Sequence, residues 1–377
     1  MKITVLGGGA AGFFAAITAK KKYPEATVIL LERSNKLLSK VRISGGGRCN
    51  VTHSCFDPRE LIKNYPRGSK ELLGAFHQFQ PRDTINWFLE RGVSLKTEAD
   101  GRMFPITDSS DTIINALLDE ADKVGVIIKL QSKVKLEEIE TDRLILATGS
   151  SKSGFEIAKQ FGHTIQAPVP SLFTFNIPSF LLESTSGVTL EKVNLRLEGT
   201  KLFQEGPLLI THFGFSGPAA LKLSAFAARY LAEKNYEATL KIDWVPTLAI
   251  EEIMTLILSE GTSKKLGNIK SIPLPKRLWK LLCENEDQIV GQTSKSTIRK
   301  LCEKLKSDSY LIKGKTTNKE EFVTCGGVTL SEINFKTMES KIHKNLYFCG
   351  EILDIDGVTG GFNFQNAWTT GWIAGNA

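Results

Sequence analysis

The chain opens with a short apolar run followed directly by a glycine-rich turn. Residues 2–6 are β-branched or aliphatic after the first lysine, which is typical of a buried strand. Residues 13–22 have helical character, and residues 27–31 form a second apolar run. This order of strand, turn, helix and strand predicts a βαβ unit within a parallel sheet.

The same alternation continues to about Pro168 and returns near the C-terminus. Helices are predicted at 70–78, capped by Ser69, at 83–90 and at 110–124, where apolar residues recur at helical spacing. Strands are predicted at 143–149 and 345–351, and a helix begins at Gly360-Gly361 and continues to Ala374. These patterns favour a doubly wound α/β fold.

The middle of the chain has a different pattern. A proline-rich stretch at 167–171 indicates a boundary, and the segments after it have strand character except for one helix. The predicted strands are 187–198, 201–204, 207–211 and 237–243, and the helix is 218–233. From 248 to 306 the pattern is helical, interrupted by prolines 273 and 275, and strand character returns at Glu321.

Composition limits the class of protein. The chain has 377 residues, of which 41% are hydrophobic and 24% charged, so it is a globular protein of two or three domains. No apolar run is long enough for a membrane-spanning helix. The six cysteines are scattered without a CxxC pair, which favours reduced thiols and a cytoplasmic location. The apolar N-terminus imitates a signal peptide, but a nucleotide-binding turn explains its glycines better, so we expect no secretion.

The first turn has the spacing Gly7-x-Gly9-x-x-Gly12 between a strand and a helix. Gly7 permits the tight turn, Gly9 lets the backbone approach a pyrophosphate, and Gly12 allows close packing of helix and strand. Glu32 ends the second strand, twenty residues after Gly12, where an acid accepts hydrogen bonds from a ribose. Together these features predict a bound dinucleotide.

A second glycine-rich segment, Ser44-Gly-Gly-Gly-Arg-Cys-Asn50, follows Glu32. Three successive glycines leave backbone N–H groups exposed and let a flat ligand come close. The alternative is a flexible loop, but the flanking Ser44, Arg48 and Asn50 are cationic or hydrogen-bonding groups. This segment therefore predicts contact with the cofactor.

A late strand that ends in Gly350-Glu351 and a last helix accompany the two glycine-rich turns. Together these segments are similar to the FAD-binding fold of two-dinucleotide-domain flavoproteins. Over nearly its whole length the chain resembles the BaiN/RdsA-type family of NAD(P)/FAD-dependent flavoproteins. The triple-glycine segment is the most specific motif. It is joined by Asp100-Gly-Arg-Met-Phe-Pro105, Thr211-His-Phe-Gly-Phe-Ser-Gly-Pro218, Cys325-Gly-Gly-Val328 and Gly357-Val-Thr-Gly-Gly-Phe-Asn363.

The resemblance implies a two-dinucleotide-binding-type Rossmann FAD domain, interrupted by a β-barrel and a small helical bundle. We place the FAD domain at residues 1–168 and 321–377, the barrel-like insert at 169–247 and the helical subdomain at 248–320. Two positions depart from the family pattern, because His53 stands where relatives usually have asparagine and Phe362 where tyrosine is common. Neither change removes a group that the flavin needs, although both can alter substrate contacts.

The expected FAD contacts come from both ends of the chain. They are Gly7, Gly9, Ala11, Gly12, Glu32, Arg33, Lys40, Ser44, Gly46, Gly47, Arg48, Cys49, Asn50, Val134, Ala147, Thr148, Gly149, Gly350, Glu351, Gly360, Gly361, Phe362 and Asn363. NADH or NADPH is expected as a transient reductant that docks over the flavin, since no second GxGxxG follows a strand. No metal is expected, because the spacing of Cys49, His53 and Cys55 matches no zinc pattern.

Activities attributed to relatives are reduction of a steroid enone and formation of dihydrouridine in large-subunit ribosomal RNA. Both saturate a carbon–carbon double bond conjugated to a carbonyl, so we expect hydride at the β-carbon, a proton at the α-carbon and donors on the enolate oxygen. The candidate catalytic residues are Arg48 to polarise the carbonyl and Cys49 or His212 to donate the proton. A structural Cys49 and an ordinary hydrogen-bonded His212 are the alternatives.

The partner is open at this stage. The net charge is +7, and residues 264–319 hold fourteen Lys or Arg against five Asp or Glu, so this part can grip an RNA backbone or simply form a solvated surface. The substrate is accordingly a small-molecule enone or ribosomal RNA. The alternative function is a flavin-containing protein whose redox state modulates binding of RNA or a partner without turnover.

Overall fold

The computed structural model describes residues 1–133, 139–317 and 323–377. The chain divides into two compact units, Met1–Pro170 with Lys319–Ala377 and Ser171–Asn318. The predicted limits of the FAD domain, 168 and 321, lie within two residues of this division. The further separation of the insert into a barrel and a helical subdomain stays a prediction.

The strands alternate with helices in the first unit and follow one another in the second. They are β1 (Lys2–Leu6), β2 (Thr27–Leu31), β3 (Thr52–His53), β4 (Leu95–Thr97), β5 (Arg102–Pro105), β6 (Ile127–Lys129), β7 (Arg143–Leu146), β8 (Ile165–Ser171), β9 (Thr174–Asn176), β10 (Thr189–Leu197), β11 (Phe203–Ile210), β12 (Gly214–Ser216), β13 (Glu237–Asp243), β14 (Asp308–Lys313), β15 (Lys315–Thr316), β16 (Val323–Val328), β17 (Ile333–Asn334), β18 (Glu339–Ser340) and β19 (Leu346–Phe348).

The helices are fewer and mostly short. They are α1 (Ala10–Lys22), α2 (Ser39–Gly47), α3 (Pro58–Leu61), α4 (Ser69–Phe76), α5 (Pro81–Leu89), α6 (Ser110–Val124), α7 (Lys152–Gln160), α8 (Pro218–Phe226), α9 (Ala228–Glu233), α10 (Ile250–Ser259), α11 (Lys276–Leu282), α12 (Lys295–Lys306) and α13 (Phe362–Asn376). Among the described residues, no helix has the length and apolar character needed to cross a membrane.

The first unit is built on a sheet of the order β17-β18-β19-β7-β1-β2-β6. The five strands from β19 to β6 are parallel, and β17 and β18 extend the edge antiparallel. The core of this sheet is apolar on both faces, as the nearly continuous burial of β1, β7 and β19 shows. The predicted α/β fold with a parallel Rossmann-type sheet is confirmed.

Helices α1 and α13 pack closely beside this sheet because glycines remove side chains between them. A Cβ at Gly371 would lie 2.5 Å from the Ala11 carbonyl oxygen, and one at Gly375 would lie 2.6 Å from that of Ala15. The C-terminal helix is thereby fixed against the first helix of the chain. A small antiparallel sheet, β3-β5-β4, lies in the same unit.

The second unit contains an antiparallel sheet of the order β14-β13-β10-β11-β12-β9-β15. Its first and last strands are separated along the chain only by Gly314. Large apolar side chains fill its core, among them Phe175, Phe215 and Trp244, each at most 1% exposed. Whether this sheet is the expected barrel stays a prediction.

Several local predictions were wrong, each for a physical reason. Ser69 does not cap α4; the cap is Gly68 in the left-handed region at φ +80°, and Ser69 is the first helical residue. The proline-rich stretch does lie at the division between the two units, but it is also part of β8, which was not predicted; among the described residues β8 pairs with β16 in a two-stranded sheet, where a strand tolerates missing N–H donors. Residues 201–204 and 207–211 contribute to one strand, β11, and the helix 218–233 is divided at Ala227.

Candidate functional site

The first glycine turn is fixed by the packing of the protein itself. Gly7 has φ +112°, and a Cβ there would overlap the carbonyl oxygen of Ala147, the residue after the neighbouring strand β7. A Cβ at Gly12 would overlap the carbonyl oxygen of Gly7. These two glycines are therefore required for the turn and the helix to fit against the sheet, as the motif predicts.

Gly9 has a different environment. It is the N-cap residue of α1, no side chain caps the helix there, and no atom lies within 4 Å of the position of a Cβ. The first N–H groups of a helix have no partner within the helix and form its positive end. The turn thus presents uncapped backbone donors to an open space, which suits an anionic group such as a pyrophosphate.

Glu32 is held at the end of β2 by two backbone donors. Its carboxylate accepts from the N–H of Gly8 and from the N–H of Ser34, both at 2.8 Å. A carboxylate has further lone pairs, so it can still accept from a ribose hydroxyl. The neighbouring Arg33 is exposed, and its guanidinium donates weakly to the Ser153 hydroxyl at 3.5 Å.

The triple-glycine segment begins as a helix and then leaves it. Residues from Ser39 are helical, but Ser44 is extended, and Gly45, Gly46 and Gly47 have φ of +58°, +68° and +85°. Residues 40–43, which precede the predicted segment, belong to the helical part of α2. No atom lies within 4 Å of a Cβ position at Gly46 or Gly47, so this turn is also open.

Arg48 joins the triple-glycine segment to the small sheet. Its Nη1 donates to Glu98 at 2.6 Å and lies 3.5 Å from a carboxylate oxygen of Asp108, while the guanidinium stacks on Phe104 at 4.0 Å from the ring centre. The hydrogen bond to Glu98 raises the pKa of Arg48 further above its ordinary value. Both ion pairs use Nη1, which leaves the donors on Nε and Nη2 to other ligands.

Cys49 is a buried thiol in a left-handed backbone conformation. Its side chain is 0% exposed and its φ is +61°. Burial raises the pKa of the thiol to about 12. A thiol of that pKa is a weak acid, and loss of its proton would leave a buried thiolate, so the raised pKa favours the structural alternative.

The loop after the triple glycine is tied to α13 by three consecutive residues. With the Asn50 amide oriented to satisfy both partners, its oxygen accepts from the Gly361 N–H at 2.9 Å and its nitrogen donates to Thr52. The indole of Trp368 donates to the carbonyl of Val51 at 2.9 Å. We call this set of contacts between residues 50–52 and α13 the loop–helix clamp.

The third contact of the loop–helix clamp is buried. The Thr52 hydroxyl donates to the Gln365 carbonyl oxygen at 2.6 Å, and the Thr84 hydroxyl donates to the same oxygen at 2.9 Å. The Gln365 amide nitrogen in turn donates to Thr369 at 3.0 Å. Every member of this network has a partner, so it fixes the loop rigidly against the helix.

The residues at the start of α13 are engaged with the protein. Asn363 makes two hydrogen bonds to the backbone of Gly357, at 2.8 and 2.9 Å. The His53 ring stacks on Phe362 at 4.8 Å between ring centres. The two departures from the family pattern are therefore in direct contact with each other.

Glu351 lies at the centre of a second group of contacts. It pairs with Lys40, and its other carboxylate oxygen accepts from the N–H of Thr324 at 3.2 Å. A Cβ at Gly149 would lie 3.7 Å from the Glu351 carboxylate. The preceding Gly350 has φ +75°, and its N–H donates to the hydroxyl of Thr370 on α13 at 2.9 Å.

The structure brings together most of the predicted cofactor residues, and all of those it describes lie in the first unit. Ala147 and Thr148 follow β7 beside Gly7, and Gly360 and Gly361 precede α13 with φ of +132° and +89°. Val134 lies outside the described residues. The role of each residue toward a cofactor stays a prediction.

The candidate catalytic residues are divided between the units. Arg48 and Cys49 belong to the first unit, whereas His212 is exposed in the second unit on the short turn between β11 and β12. The backbone of that turn is well fixed, since Thr211 bonds to the Gly214 carbonyl through both its N–H, at 2.9 Å, and its hydroxyl, at 3.0 Å. The imidazole is thus presented to solvent from a rigid turn.

The sequence did not identify Gln365, Trp368 and Thr370 as residues that build the site. They lie inside a helix whose apolar and polar residues show no clear period. The partners of Gln365 and Trp368 are about three hundred residues away, and that of Thr370 is on the Gly350-Glu351 turn.

The residues present fit a dinucleotide. In the described part of the chain, no protein atom lies within 4 Å of a Cβ position at Gly9, Gly46 or Gly47, and the loop–helix clamp holds the second turn beside the N-terminus of α13. An acid at the end of β2 and another after β19 offer acceptors for hydroxyl groups. An extended ligand with phosphates and sugars matches this set of donors and acceptors.

Comparison with known proteins gives matches over the full length. A family model described as the HI0933-like protein Rossmann domain matches residues 1–146 and 135–377. The ribosomal RNA dihydrouridine synthase of Haemophilus influenzae is 30% identical over 402 residues, covering 98% of this chain and 96% of that protein. The 3-dehydro-bile acid delta(4,6)-reductase of Clostridium scindens is 26% identical over 409 residues, covering 100% and 98%.

Solved structures share the fold. The 3-ketosteroid delta1-dehydrogenase of Sterolibacterium denitrificans has a TM-score of 0.51 at 11% identity, covering 99% of this chain and 98% of that one. A flavocytochrome c3 fumarate reductase has a TM-score of 0.50 at 17% identity, covering 100% of this chain and 77% of that one. At these identities the likeness concerns the fold alone.

Proposed function

Because this chain belongs to the HI0933-like Rossmann family, as its BaiN/RdsA-type motifs predicted, we propose that it is an FAD-dependent oxidoreductase. In this proposal NAD(P)H is the reductant, and the product is a saturated carbon–carbon bond next to a carbonyl. The observation that carries the proposal is the pair of open glycine turns, one at the N-terminus of α1 and the other clamped to α13.

The preferred substrate is a uracil of large-subunit ribosomal RNA, and a small-molecule enone is the alternative. Two full-length relatives at 30% identity are named ribosomal RNA dihydrouridine synthases, and one at 26% is named a bile-acid reductase. Saturating a double bond conjugated to a carbonyl is common to both kinds of product. The site needs only to hold a flat, electron-poor ring or enone.

The residues that would hold FAD follow from the turns. The N–H groups around Gly9 would bind the pyrophosphate, Glu32 the adenosine ribose, and the triple-glycine segment with the N-terminus of α13 the flavin. When bound, FAD supplies the hydride chemistry between a nicotinamide and an electron-poor carbon. The protein supplies position, donors and exclusion of water.

Arg48 would polarise the substrate carbonyl. Its Nη1 is engaged by Glu98, and Nε and Nη2 provide donors for the developing enolate oxygen. The pairing with Glu98 also fixes the guanidinium, so little reorganisation is needed when charge develops on the substrate.

His212 is the better proton donor of the two candidates. Its imidazole is exposed and the turn that carries it is fixed, whereas the Cys49 thiol is 0% exposed and its pKa is raised to about 12. We therefore propose a packing role for Cys49, and His212 stays the sequence-based candidate for the proton donor. Undiminished substrate-driven reoxidation in both His212→Ala and Cys49→Ala would eliminate both residues as donors.

RNA contact is proposed for the helices of the second unit. Of the thirteen cations between 264 and 317 that the structure describes, seven pair with carboxylates, namely Lys264, Lys265, Lys280, Arg299, Lys304, Lys306 and Lys313. Lys276, Lys295 and Lys300 are exposed and, in the described part of the chain, have no carboxylate within 4 Å. Such cations neutralise phosphates, so RNA affinity should fall steeply with salt.

Two measurements test the proposal. In stopped-flow mixing, NADH or NADPH should bleach the flavin, and an acceptor with a conjugated double bond should restore its colour. In a deletion strain, dihydrouridine should be lost from large-subunit ribosomal RNA and should return with the wild-type gene. Unchanged dihydrouridine would leave only the small-molecule substrate, and no bleaching by either nucleotide would contradict the reductase.

A further inference from the structure

The stretch between α7 and β8 contains a histidine that is buried and bonded through both ring nitrogens. The side chain of His163 is 0% exposed. Its Nδ1 lies 2.9 Å from a carboxylate oxygen of Glu332, and its Nε2 lies 2.8 Å from the hydroxyl oxygen of Ser340. Both partners belong to the edge of the first-unit sheet, where Glu332 directly precedes β17 and Ser340 ends β18. The imidazole therefore joins residues that are 169 and 177 positions apart.

The hydrogen bonds of this cluster define one protonation state. An ionised carboxylate only accepts, so Nδ1 of His163 carries the proton and donates to Glu332. Nε2 is then the acceptor, and the Ser340 hydroxyl donates to it. The Ser340 oxygen in turn accepts from the backbone N–H groups of Ile342 at 3.0 Å and His343 at 2.8 Å, which fills both of its acceptor positions. These bonds are all made while His163 is neutral.

A second proton on the imidazole would break this arrangement at Ser340. The Nε2–H group of His163 and the hydroxyl proton of Ser340 would then face each other, so the hydroxyl would have to rotate away. The rotated oxygen can accept from Nε2 only if it releases one of its two backbone N–H groups, because both of its lone pairs are already engaged. Protonation of His163 therefore opens the turn of residues 340–343.

The groups packed against His163 act in opposite directions on its charge. Burial disfavours the positive imidazole and is the largest effect, the Glu332 carboxylate favours it, and the nearby His343 disfavours it, so the pKa of His163 lies below its ordinary value of 6.5. The Phe348 ring on β19, at 4.6 Å between ring centres, adds no charge. Burial would raise the pKa of Glu332, but hydrogen bonds from Thr164 and His163 outweigh it and lower that pKa, so Glu332 stays ionised where His163 titrates.

We propose that His163, Glu332 and Ser340 form a pH-sensitive latch, which holds the turn of residues 340–343 closed while the imidazole is neutral and releases it in acid. This inference goes beyond the proposed function and does not depend on it, because no cofactor or substrate takes part in the latch. Its parts are side chains and backbone of the first unit alone.

The latch adjoins the strands next to the points where the chain leaves and re-enters the first unit. The N–H of Thr164 also donates to the Glu332 carboxylate at 3.0 Å, and the N–H of Thr329 donates to the Thr164 carbonyl at 3.0 Å. Strand β8 leads from Thr164 to the division at Ser171, and β16 leads back toward Thr329. Release of the latch therefore acts on the anchor of both strands.

Hydrogen exchange in the full-length protein tests the latch. Exchange of the backbone amides of residues 339–345 is followed by mass spectrometry from about pH 7.5 to about pH 5, and each rate is corrected for the pH dependence of an unstructured amide. Protection should be constant above about pH 6.5 and should fall by up to about tenfold per pH unit below it, because opening takes up one proton. Since the folded pKa is the lower one, the stability from neutral His163 is complete above pH 6.5 and is lost as the pH falls through the folded pKa.

Substitutions separate the latch from other titrating groups. His163→Gln keeps a donor and an acceptor but cannot become charged, so its turn should stay protected throughout this pH range. Ser340→Ala removes the acceptor of both N–H groups, and its turn should exchange fast at every pH. The matched control is His343→Gln, because His343 is exposed and its ring bonds only to the neighbouring Lys344 carbonyl, at 2.9 Å, among the printed polar groups of the described chain. This control should keep the pH dependence of wild type.

Two exchange results would overturn the latch. One is equal protection of the wild-type turn at the two ends of the pH range, and the other is an unchanged pH dependence in His163→Gln. Parallel loss of protection in α1 would show that the whole fold opens, which equally contradicts a local latch.

An NMR titration keeps the inference testable if His163→Gln does not fold. The His163 signal of wild type is assigned by substituting the other histidines of the five in the chain one at a time. A pKa below 6.5, together with acid-induced exchange of the turn, supports the latch. A pKa at or above 6.5 overturns it.

Discussion

The two glycine turns of the first unit differ in what demands their glycines. In the Gly7–Gly12 turn, added Cβ atoms at the first and last glycine would overlap backbone of the protein itself. In the triple-glycine turn, Gly46 and Gly47 face open space, and only their positive φ values disfavour a side chain. The first turn thus needs its glycines so that the protein can pack, and the second turn needs them so that a ligand can come close.

Within one glycine motif, some glycines can therefore be required for stability and others for binding. Gly9 lies in the first turn but resembles Gly46 and Gly47, because no atom of the described residues lies within 4 Å of its Cβ position. Substitutions can therefore lower the free energy of unfolding at some glycines and the affinity for cofactor at others. Substitutions at these glycines and at the residues they contact test this distinction.

Gly12→Ala should have the largest effect. Its Cβ would overlap the Gly7 carbonyl oxygen, and both atoms belong to backbone that is fixed against the sheet. We expect a loss of about 3 kcal/mol or more in the free energy of unfolding of the apoprotein. Chemical denaturation measures it, and wild-type stability of this variant would contradict the packing argument.

Gly46→Ala should reduce cofactor affinity more than stability. The left-handed backbone at φ +68° should cost about 1–2 kcal/mol, and the new methyl group would occupy the space left for the flavin. Cofactor affinity should fall at least about tenfold, measured by flavin fluorescence.

The matched control for Gly46 is Gly199→Ala. Gly199 has φ +72° and open space at its Cβ position, and it lies in the second unit. It should lose similar stability with no loss of cofactor affinity. Equal affinities of the two variants would show that Gly46 is not near the ligand.

Gln365→Leu should weaken the loop–helix clamp. It leaves the hydroxyls of Thr52 and Thr84 without their acceptor, which should cost about 2 kcal/mol. Calorimetry of apoprotein and holoprotein should show a lower Tm in both, with faster loss of flavin from the holoprotein. An unchanged flavin release rate would separate the clamp from cofactor retention.

Cys49 should produce the smallest effect. Its folded pKa of about 12 lies above the ordinary value of 9.0, so the thiol is neutral below pH 9, and its ionisation destabilises the fold only as pH rises from about 9 toward 12. Between pH 6 and 9 the profile of kcat/KM should therefore be the same in wild type and Cys49→Ala. A limb of the profile that disappears in this variant would restore Cys49 as the proton donor.

The local parts of the fold could be predicted from sequence. The strand, glycine turn, helix, strand and Glu32 of the first unit depend on neighbouring residues, and the structure places them as expected. The proline-rich β8 could not be predicted, because its pairing with β16 depends on residues far along the chain. In that stretch the prolines indicate a turn or a boundary, and nothing in the local sequence indicates a strand.

Residues of the candidate site that belong to a sequence motif could be predicted. Single side chains that reach the site through distant contacts could not. Asn50 belongs to a recognisable segment, but its bond to Gly361 joins residues 311 positions apart. Gln365 and Trp368 carry no motif, and only their contacts with Thr52 and Val51 identify them. Distant partners of this kind arise from tertiary packing, which the periodicity of a sequence does not encode.

The central claim is that FAD occupies the space between the two glycine turns. Its most direct test is the flavin content of purified, folded protein after incubation with FAD, measured by absorbance of the protein fraction. We predict one FAD per chain in wild type, a clearly lower FAD content in Gly46→Ala at the same FAD concentration, and full content in Gly199→Ala. Folded wild-type protein that stays colourless with excess FAD would contradict the account.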